Sequence, residues 1–280
     1  MNRRSRSLLV SDLDGTLLRS DGTLSEATVV CIRRLVQDGL QFTVATARSP
    51  TRTRSVLRGL PLNQPLICLN GAATVDPLTG GFLSVASIPE PAVRSLLRIG
   101  AEFGLSPFLM GSDGGRERLM YQAPRERVAT QFIAQRLGEP RLQLVDVLRP
   151  LEQTLCVTFA DTASNLSALF ELLKKEPVKG LELRLMAYPE IEGGATLDIS
   201  LLGVDKVTPI AELAASLGVS PLDVIVFGDD LNDLPMFAWA GTAVAVANAK
   251  QEVLNAADVH CDTNDRDGVM KFIQSWSAES

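Results

Sequence analysis

Short apolar runs that end in a polar residue recur along this chain. Leu8, Leu9 and Val10 run into Asp12, and Phe42, Thr43, Val44 and Ala45 run into Thr46. Residues 66–69 end at Asn70 and Gly71, and residues 224–227 end at Gly228 and Asp229. Runs this short and without alternation predict strands buried on both faces, as in parallel sheets covered by helices. Helical signals lie between them. Residues 25–37 offer Ser25 as an N-cap, Ala27, Cys31 and Leu35 on one face and Gly39 as a stop. Ser49 and Pro50 open a second helix, and Asp205 opens one that Gly218 closes. Strand, helix and strand joined by short connections predict right-handed βαβ units in a parallel sheet.

The middle of the chain breaks this rhythm. Residues 76–81 form a turn cluster, and the stretch from about 89 to 189 holds most of the prolines. Helices are expected over 91–103, 126–137 and 164–175, and strands over 142–147, 155–159 and 181–186. That mixture predicts an α+β sheet with helices on one face. Residues 111–115, with Ser112 and Asp113 among glycines, are expected to be a flexible loop of this part. From Thr196 the parallel rhythm resumes, with 197–201 and 224–227 as core strands. The fold class predicted is α/β: a Rossmann-like parallel-sheet core over 1–84 and 190–280, with an inserted α+β cap domain over 85–189.

The 280 residues are 46% hydrophobic, enough for a sizeable core, and carry a net charge of −6. No Lys/Arg run is interleaved with aromatics, so no nucleic-acid partner is expected. A small anionic substrate stays open, because a metal ion can reverse local charge. Arg3, Arg4 and Arg6 precede an apolar stretch too short for a signal peptide, and nothing else approaches a membrane span. A cytoplasmic protein with no membrane partner is the expectation. Cys31, Cys68, Cys156 and Cys261 lack any CxxC or His pairing and are expected to be small buried hydrophobes in a reducing compartment. His260 is the only histidine and has no partner motif.

The chemistry concentrates at strand ends. Asp12 and Asp14 place two carboxylates beyond the first run, and burying either costs several kcal/mol unless a cation or hydrogen-bond donors compensate. Asp14, Gly15 and Thr16 alone read more readily as an ordinary turn than as a site. The second acidic cluster, Asp229, Asp230 and Asp233, decides for chemistry. With Thr46, Arg48 and Lys206 it supplies carboxylates for a hard cation together with a hydroxyl and an ammonium for anionic oxygens. Open α/β sheets bind ligands outside the carboxyl ends of their strands.

In these residues the chain resembles the haloacid dehalogenase superfamily, and within it the Cof-type phosphatases with a large inserted cap. Asp12-Leu13-Asp14-Gly15-Thr16 is similar to the first motif, Thr46-Ala47-Arg48 to the second, Lys206 to the third, and Gly228-Asp229-Asp230-Leu231-Asn232-Asp233 to the fourth. Asn70-Gly71-Ala72, Asn248-Ala249 and Asp267-Gly268-Val269 support the match. The resemblance implies Asp12 as the nucleophile that forms an aspartyl-phosphate and Asp14 as the acid and base. It implies magnesium held by Asp12, the backbone carbonyl of Asp14 and Asp229, with Asp233 assisting. Thr46, Lys206 and Asn232 would hold the phosphate oxygens, with Arg48 a further candidate at the entrance. The expected activity is hydrolysis of a small phosphorylated metabolite such as a sugar phosphate, with the cap closing over the site. Arg48, Asn70, Glu190 and Glu192 are candidate selectors of the leaving group. A phosphomutase, a dedicated sugar-phosphate phosphatase of the sucrose-phosphate or mannosylglycerate-phosphate type, and a phosphometabolite sensor remain open, as does the oligomeric state.

Overall fold

The computed structural model describes residues 7–278, so Arg3, Arg4 and Arg6 lie outside the described residues. The chain forms two compact units, one from residues up to Ser84 and from Asp205 onward, the other from Val85–Val204. The first opens with β1 (Leu8–Ser11), α1 (Glu26–Gln37), β2 (Gln41–Val44), α2 (Pro50–Val56), β3 (Leu66–Cys68) and a hairpin of β4 (Ala73–Val75) and β5 (Phe82–Val85). The second holds α3 (Glu90–Glu102), β6 (Phe108–Asp113), β7 (Arg116–Tyr121), α4 (Arg127–Ala134), β8 (Leu142–Leu144) and β9 (Gln153–Thr162). It ends with α5 (Ala163–Lys175), β10 (Leu181–Ala187) and β11 (Gly194–Leu201). The first resumes with α6 (Val207–Ser216), β12 (Val224–Gly228), α7 (Leu234–Trp239), β13 (Thr242–Val246), α8 (Gln251–Ala256), β14 (Val259–Cys261) and α9 (Gly268–Ala278).

In the first unit, β14, β13, β12, β1 and β2 lie side by side, every neighbouring pair parallel. β1 occupies the middle of its neighbours and is buried throughout. Leu8, Val10, Val224 and Val226 pack against Ile210 and Leu213 of α6 and Met236 and Phe237 of α7. Each such side chain removed from water contributes about 2 kcal/mol. Register decides what meets at the sheet's end. Ser11 lies opposite both Phe227 and Val44, so Asp12, Gly228 and Ala45 leave the sheet at one level. A bridge between Ala45 and Ile67 brings β3 alongside β2 and the Asn70 that follows it to the same edge.

The second unit is a sheet in the order β10, β11, β9, β6, β7, β8, antiparallel except for β7 with β8. Leu109, Val157, Phe159 and Leu197 pack on one face with Val93 and Leu96 of α3 and Leu166 and Leu169 of α5. Helices are not confined to that face, because α4 covers part of the other, stacking Phe132 on Phe108 at 4.6 Å between ring centroids.

Two further expectations are corrected. Residues 197–201 belong to β11, an antiparallel partner of β9 and β10, and the second junction falls at Val204 and Asp205 instead of 189 and 190. Residues 111–115 are no flexible loop. Gly111 lies buried within β6 at a register shift, where a Cβ would run into the Gln153 carbonyl. Gly114 and Gly115, at φ +58° and +70°, make the tight turn of the β6–β7 hairpin. Cys31, Cys68 and Cys156 are buried, as expected, and Cys261 is partly buried. Among the described residues no helix is long and apolar enough to cross a membrane.

Candidate active site

Asp12 still belongs to the β1 ladder, its N–H donating to the Phe227 carbonyl at 2.9 Å, so the strand fixes where its carboxylate emerges. That carboxylate is buried, and its Oδ1 accepts a hydrogen bond from Lys206 Nζ at 2.6 Å. Lys206, 1% exposed, also donates to Asp233 Oδ1 at 2.7 Å. Asp205 places this lysine by capping α6, its Oδ1 accepting the N–H groups of Val207 and Thr208. The loop after β12 is wound around Asp233, whose Oδ2 accepts the N–H groups of Asp229 at 3.0 Å and Asp230 at 3.1 Å. Asp230 closes a capping box there and pairs with Lys250 Nζ at 2.5 Å. Asp229 Oδ1 accepts from Thr16 Oγ1 at 2.7 Å. Gly15, at φ +75°, is obligatory beside it, since a Cβ would strike the Asp229 carboxylate.

One carboxylate oxygen from each of Asp12, Asp229 and Asp233 lies within 4.8 Å of the others. When all three are ionised, these carboxylates exceed the single ammonium of Lys206 by two negative charges. Burial pushes the Asp12 pKa up to about 7, with Lys206 opposing and Asp233 and Asp229 adding to the rise. Burial also pushes Asp229 up to about 6. For Lys206 burial works against the charge, but Asp12 and Asp233 override it and hold its pKa above the ordinary value. An all-oxygen set with excess negative charge fits a hard divalent cation such as magnesium. Asp233 already uses one oxygen on Lys206 and the other on two N–H groups, so it is better placed to hold the loop than to be a direct ligand.

Asp14 stands apart from this cluster. Its carboxylate is more than half exposed and gripped by Arg48, with Nε to Oδ2 at 2.7 Å and Nη2 to Oδ1 at 2.5 Å. Arg48 therefore meets the expected acid and base. Asp14 also borders a cleft of about 490 Å³ lined by Arg19, Ser20, Asn248 and Asp265, among others. Thr46 is buried, and its Oγ1 accepts the Arg48 N–H at 3.2 Å. Asn232 donates its Nδ2 to Asn70 Oδ1 at 3.0 Å. Glu190 and Glu192 are exposed residues of the second unit, in the turn before β11. His260 is exposed and its ring meets the Leu254 carbonyl at 2.9 Å, outside the acidic cluster.

Several supporting residues went unassigned in the sequence. Asn248 donates to the Gly15 carbonyl at 2.7 Å and Asn264 to that of Leu18 at 3.0 Å. Asp267 takes Arg19 through both oxygens, at 3.1 and 2.7 Å, and Asp265 accepts from the N–H and hydroxyl of Ser20. Together they clamp the segment that carries Asp14. Asn248 and Asp267 lie in stretches that support the family match, whereas Asn264 and Asp265 are loop polars without periodicity or motif.

Known proteins resemble this chain in sequence and in fold. Residues 9–273 match the family model described as haloacid dehalogenase-like hydrolase. The chain is 26% identical over 271 residues to the 5-amino-6-(5-phospho-D-ribitylamino)uracil phosphatase YitU of Bacillus subtilis, covering 96% of this chain and 97% of that protein. It is 27% identical over 275 residues to the pyridoxal phosphate phosphatase YbhA of Escherichia coli, covering 96% and 97%. A crystal structure of a haloacid dehalogenase-like hydrolase from Bacteroides thetaiotaomicron superposes with a TM-score of 0.80 at 23% identity, covering 96% of this chain and 99% of that one.

Proposed function

The chain belongs to the haloacid dehalogenase-like hydrolase family, and on that premise we propose that it is a magnesium-dependent phosphatase of a small phosphorylated metabolite. The observation that carries this reading is the buried Asp12, held by Lys206 at 2.6 Å in a group of three carboxylates whose oxygens lie within 4.8 Å of one another. Relatives named for phosphorylated substrates as different as a ribitylaminouracil phosphate and pyridoxal phosphate support the substrate class. A sugar phosphate is the specific substrate proposed within it.

Asp12 is assigned as nucleophile. Lys206 fixes its Oδ1, and an Asp12 oxygen forms a bond to phosphorus as the bond from phosphorus to the leaving oxygen breaks. Asp14 donates a proton to that leaving oxygen. It then takes a proton from the water whose oxygen bonds to phosphorus, which releases the Asp12 carboxylate. Arg48 engages both Asp14 oxygens, so Asp14 must leave this grip at one oxygen before it can exchange a proton. Asp12, Asp229 and the Asp14 carbonyl would hold magnesium, with Asp233 keeping the loop and Lys206 in place. Magnesium, when bound, supplies positive charge that offsets the excess carboxylates and the phosphoryl oxygens. Thr46, Lys206 and Asn232 are assigned to bind and orient those oxygens.

The test is phosphate release from a panel of phosphorylated sugars, nucleotides and cofactors, with and without magnesium. Magnesium-stimulated release from at least one small ester, a sugar phosphate among the best, is the expected result. No release across the panel would contradict the reading, and a phosphate moved within the sugar would identify a mutase.

A further inference from the structure

The turn after β3 holds three successive residues in the left-handed region: Leu69 at φ +53°, Asn70 at +55° and Gly71 at +100°. Glycine takes this conformation freely, but a side-chain-bearing residue there costs on the order of 1–3 kcal/mol. Among the described residues the only other non-glycine with positive φ is Asp267. Such a turn persists only where its surroundings hold it, and its contacts show what holds it. The Asn70 N–H donates to the Thr46 carbonyl and the Leu69 N–H to the Arg48 carbonyl, both at 2.9 Å. Gly71 presses against the carbonyl of Asp205, which a Cβ would overlap, and a Cβ would also come within 3.4 Å of the Lys206 nitrogen. Asn70 Oδ1 accepts from Asn232, a residue 162 positions further along the chain. One three-residue turn thus meets all three segments assigned to the phosphoryl oxygens.

We propose that this turn is a bracket that sets the spacing of Thr46, Lys206 and Asn232, with Asn70 as the positioning residue that aims the Asn232 amide. The inference rests on the phosphatase reading. An amide nitrogen has two hydrogens; Asn70 takes one, which fixes the plane of the Asn232 amide and the direction of the other. Asparagine suits the position on two counts. It tolerates left-handed backbone better than most residues, and it accepts the hydrogen bond without adding a carboxylate beside groups that must receive an anion.

Asn70→Gly tests this, because glycine adopts the backbone without strain and removes only the side chain. With p-nitrophenyl phosphate as substrate, kcat/KM is expected to fall about tenfold to a hundredfold. Inhibition by inorganic phosphate should weaken in step, and the thermal midpoint should hold or rise. The double variant Asn70→Gly with Asn232→Ala should be no worse than Asn232→Ala alone, because the first residue acts through the second. Wild-type activity and phosphate affinity in Asn70→Gly would overturn the inference. So would failure of that variant to fold, or a double variant whose loss is the product of the two single losses. A wild-type protein that neither hydrolyses the ester nor binds inorganic phosphate overturns the phosphatase reading itself, and the inference with it.

Discussion

Each unit gathers carboxylates around one buried cation. In the second unit Arg141, 3% exposed, donates Nη1 to Glu117 at 2.8 Å and Nε to Glu139 at 2.7 Å. In the first, Lys206 donates to Asp12 and Asp233, while Asp229 stands close by. The difference lies in number and geometry. Arg141 offers separate nitrogens of a rigid fork to two glutamates, the arrangement of a structural ion pair. Lys206 offers one point charge to a group of three carboxylates, and two of the three have pKa values pushed far above the ordinary range by burial. Proteins do not keep an uncompensated buried charge for stability, since removing it would stabilise the fold. The first arrangement serves the fold, and the second is explained by a ligand that brings positive charge.

The sharpest way to break this contrast is Asp12→Asn. Phosphate release should fall by about a thousandfold or more, with circular dichroism and thermal midpoint unimpaired; turnover near wild type would strip the cluster of its chemistry. Next come Lys206→Met, which strands the buried Asp12 and Asp233, and Arg141→Met, which strands the partly buried Glu117 and Glu139. Lys206→Met should cost about 3–5 kcal/mol in urea denaturation, and Arg141→Met about 1–3 kcal/mol. Only Lys206→Met should also lower kcat, by about a hundredfold, while Arg141→Met stays within about twofold at temperatures where it is folded. Equal losses of kcat in both would erase the distinction. The smallest effect is on stability against pH. Asp12 and Asp229 titrate in the folded protein at about 7 and about 6, above the 3.8 of a free aspartate. Their contribution is fully present below that lower value and is lost as pH rises through the folded values. Magnesium-free protein should therefore lose stability from about pH 4 to about pH 7 and level off above that. Asp12→Asn should show a shallower slope and Arg141→Met the wild-type one.

Much of the core was legible because its information is local. Residues 8–10 and 224–227 are short continuous apolar runs, the pattern of a strand buried on both faces, and each ends in acids that the sheet register brings to one level. Capping by Asp205 marked the helix that carries Lys206. What escaped depends on partners distant in sequence. The alternating residues 194–201 announce a strand but not which sheet receives it, so β11 was assigned to the core. A helix's amphipathic stripe does not say which face of a sheet it covers, so α4 was placed with α3 and α5. The β6–β7 hairpin was hidden by Gly111, Gly114 and Gly115, whose composition is that of a loop although their backbone serves a bulge and a tight turn. Arg48 was expected to face substrate, and nothing in its neighbourhood in sequence discloses that its fork closes on Asp14.

The most direct measurement is rapid acid quenching of the magnesium-loaded protein during turnover of a hydrolysed ester, followed by peptide mass mapping. The account predicts a phosphoryl group on the peptide that carries Asp12, absent from Asp12→Asn. A wild-type protein that turns over its substrate without ever carrying a phosphoryl group on Asp12 would contradict it.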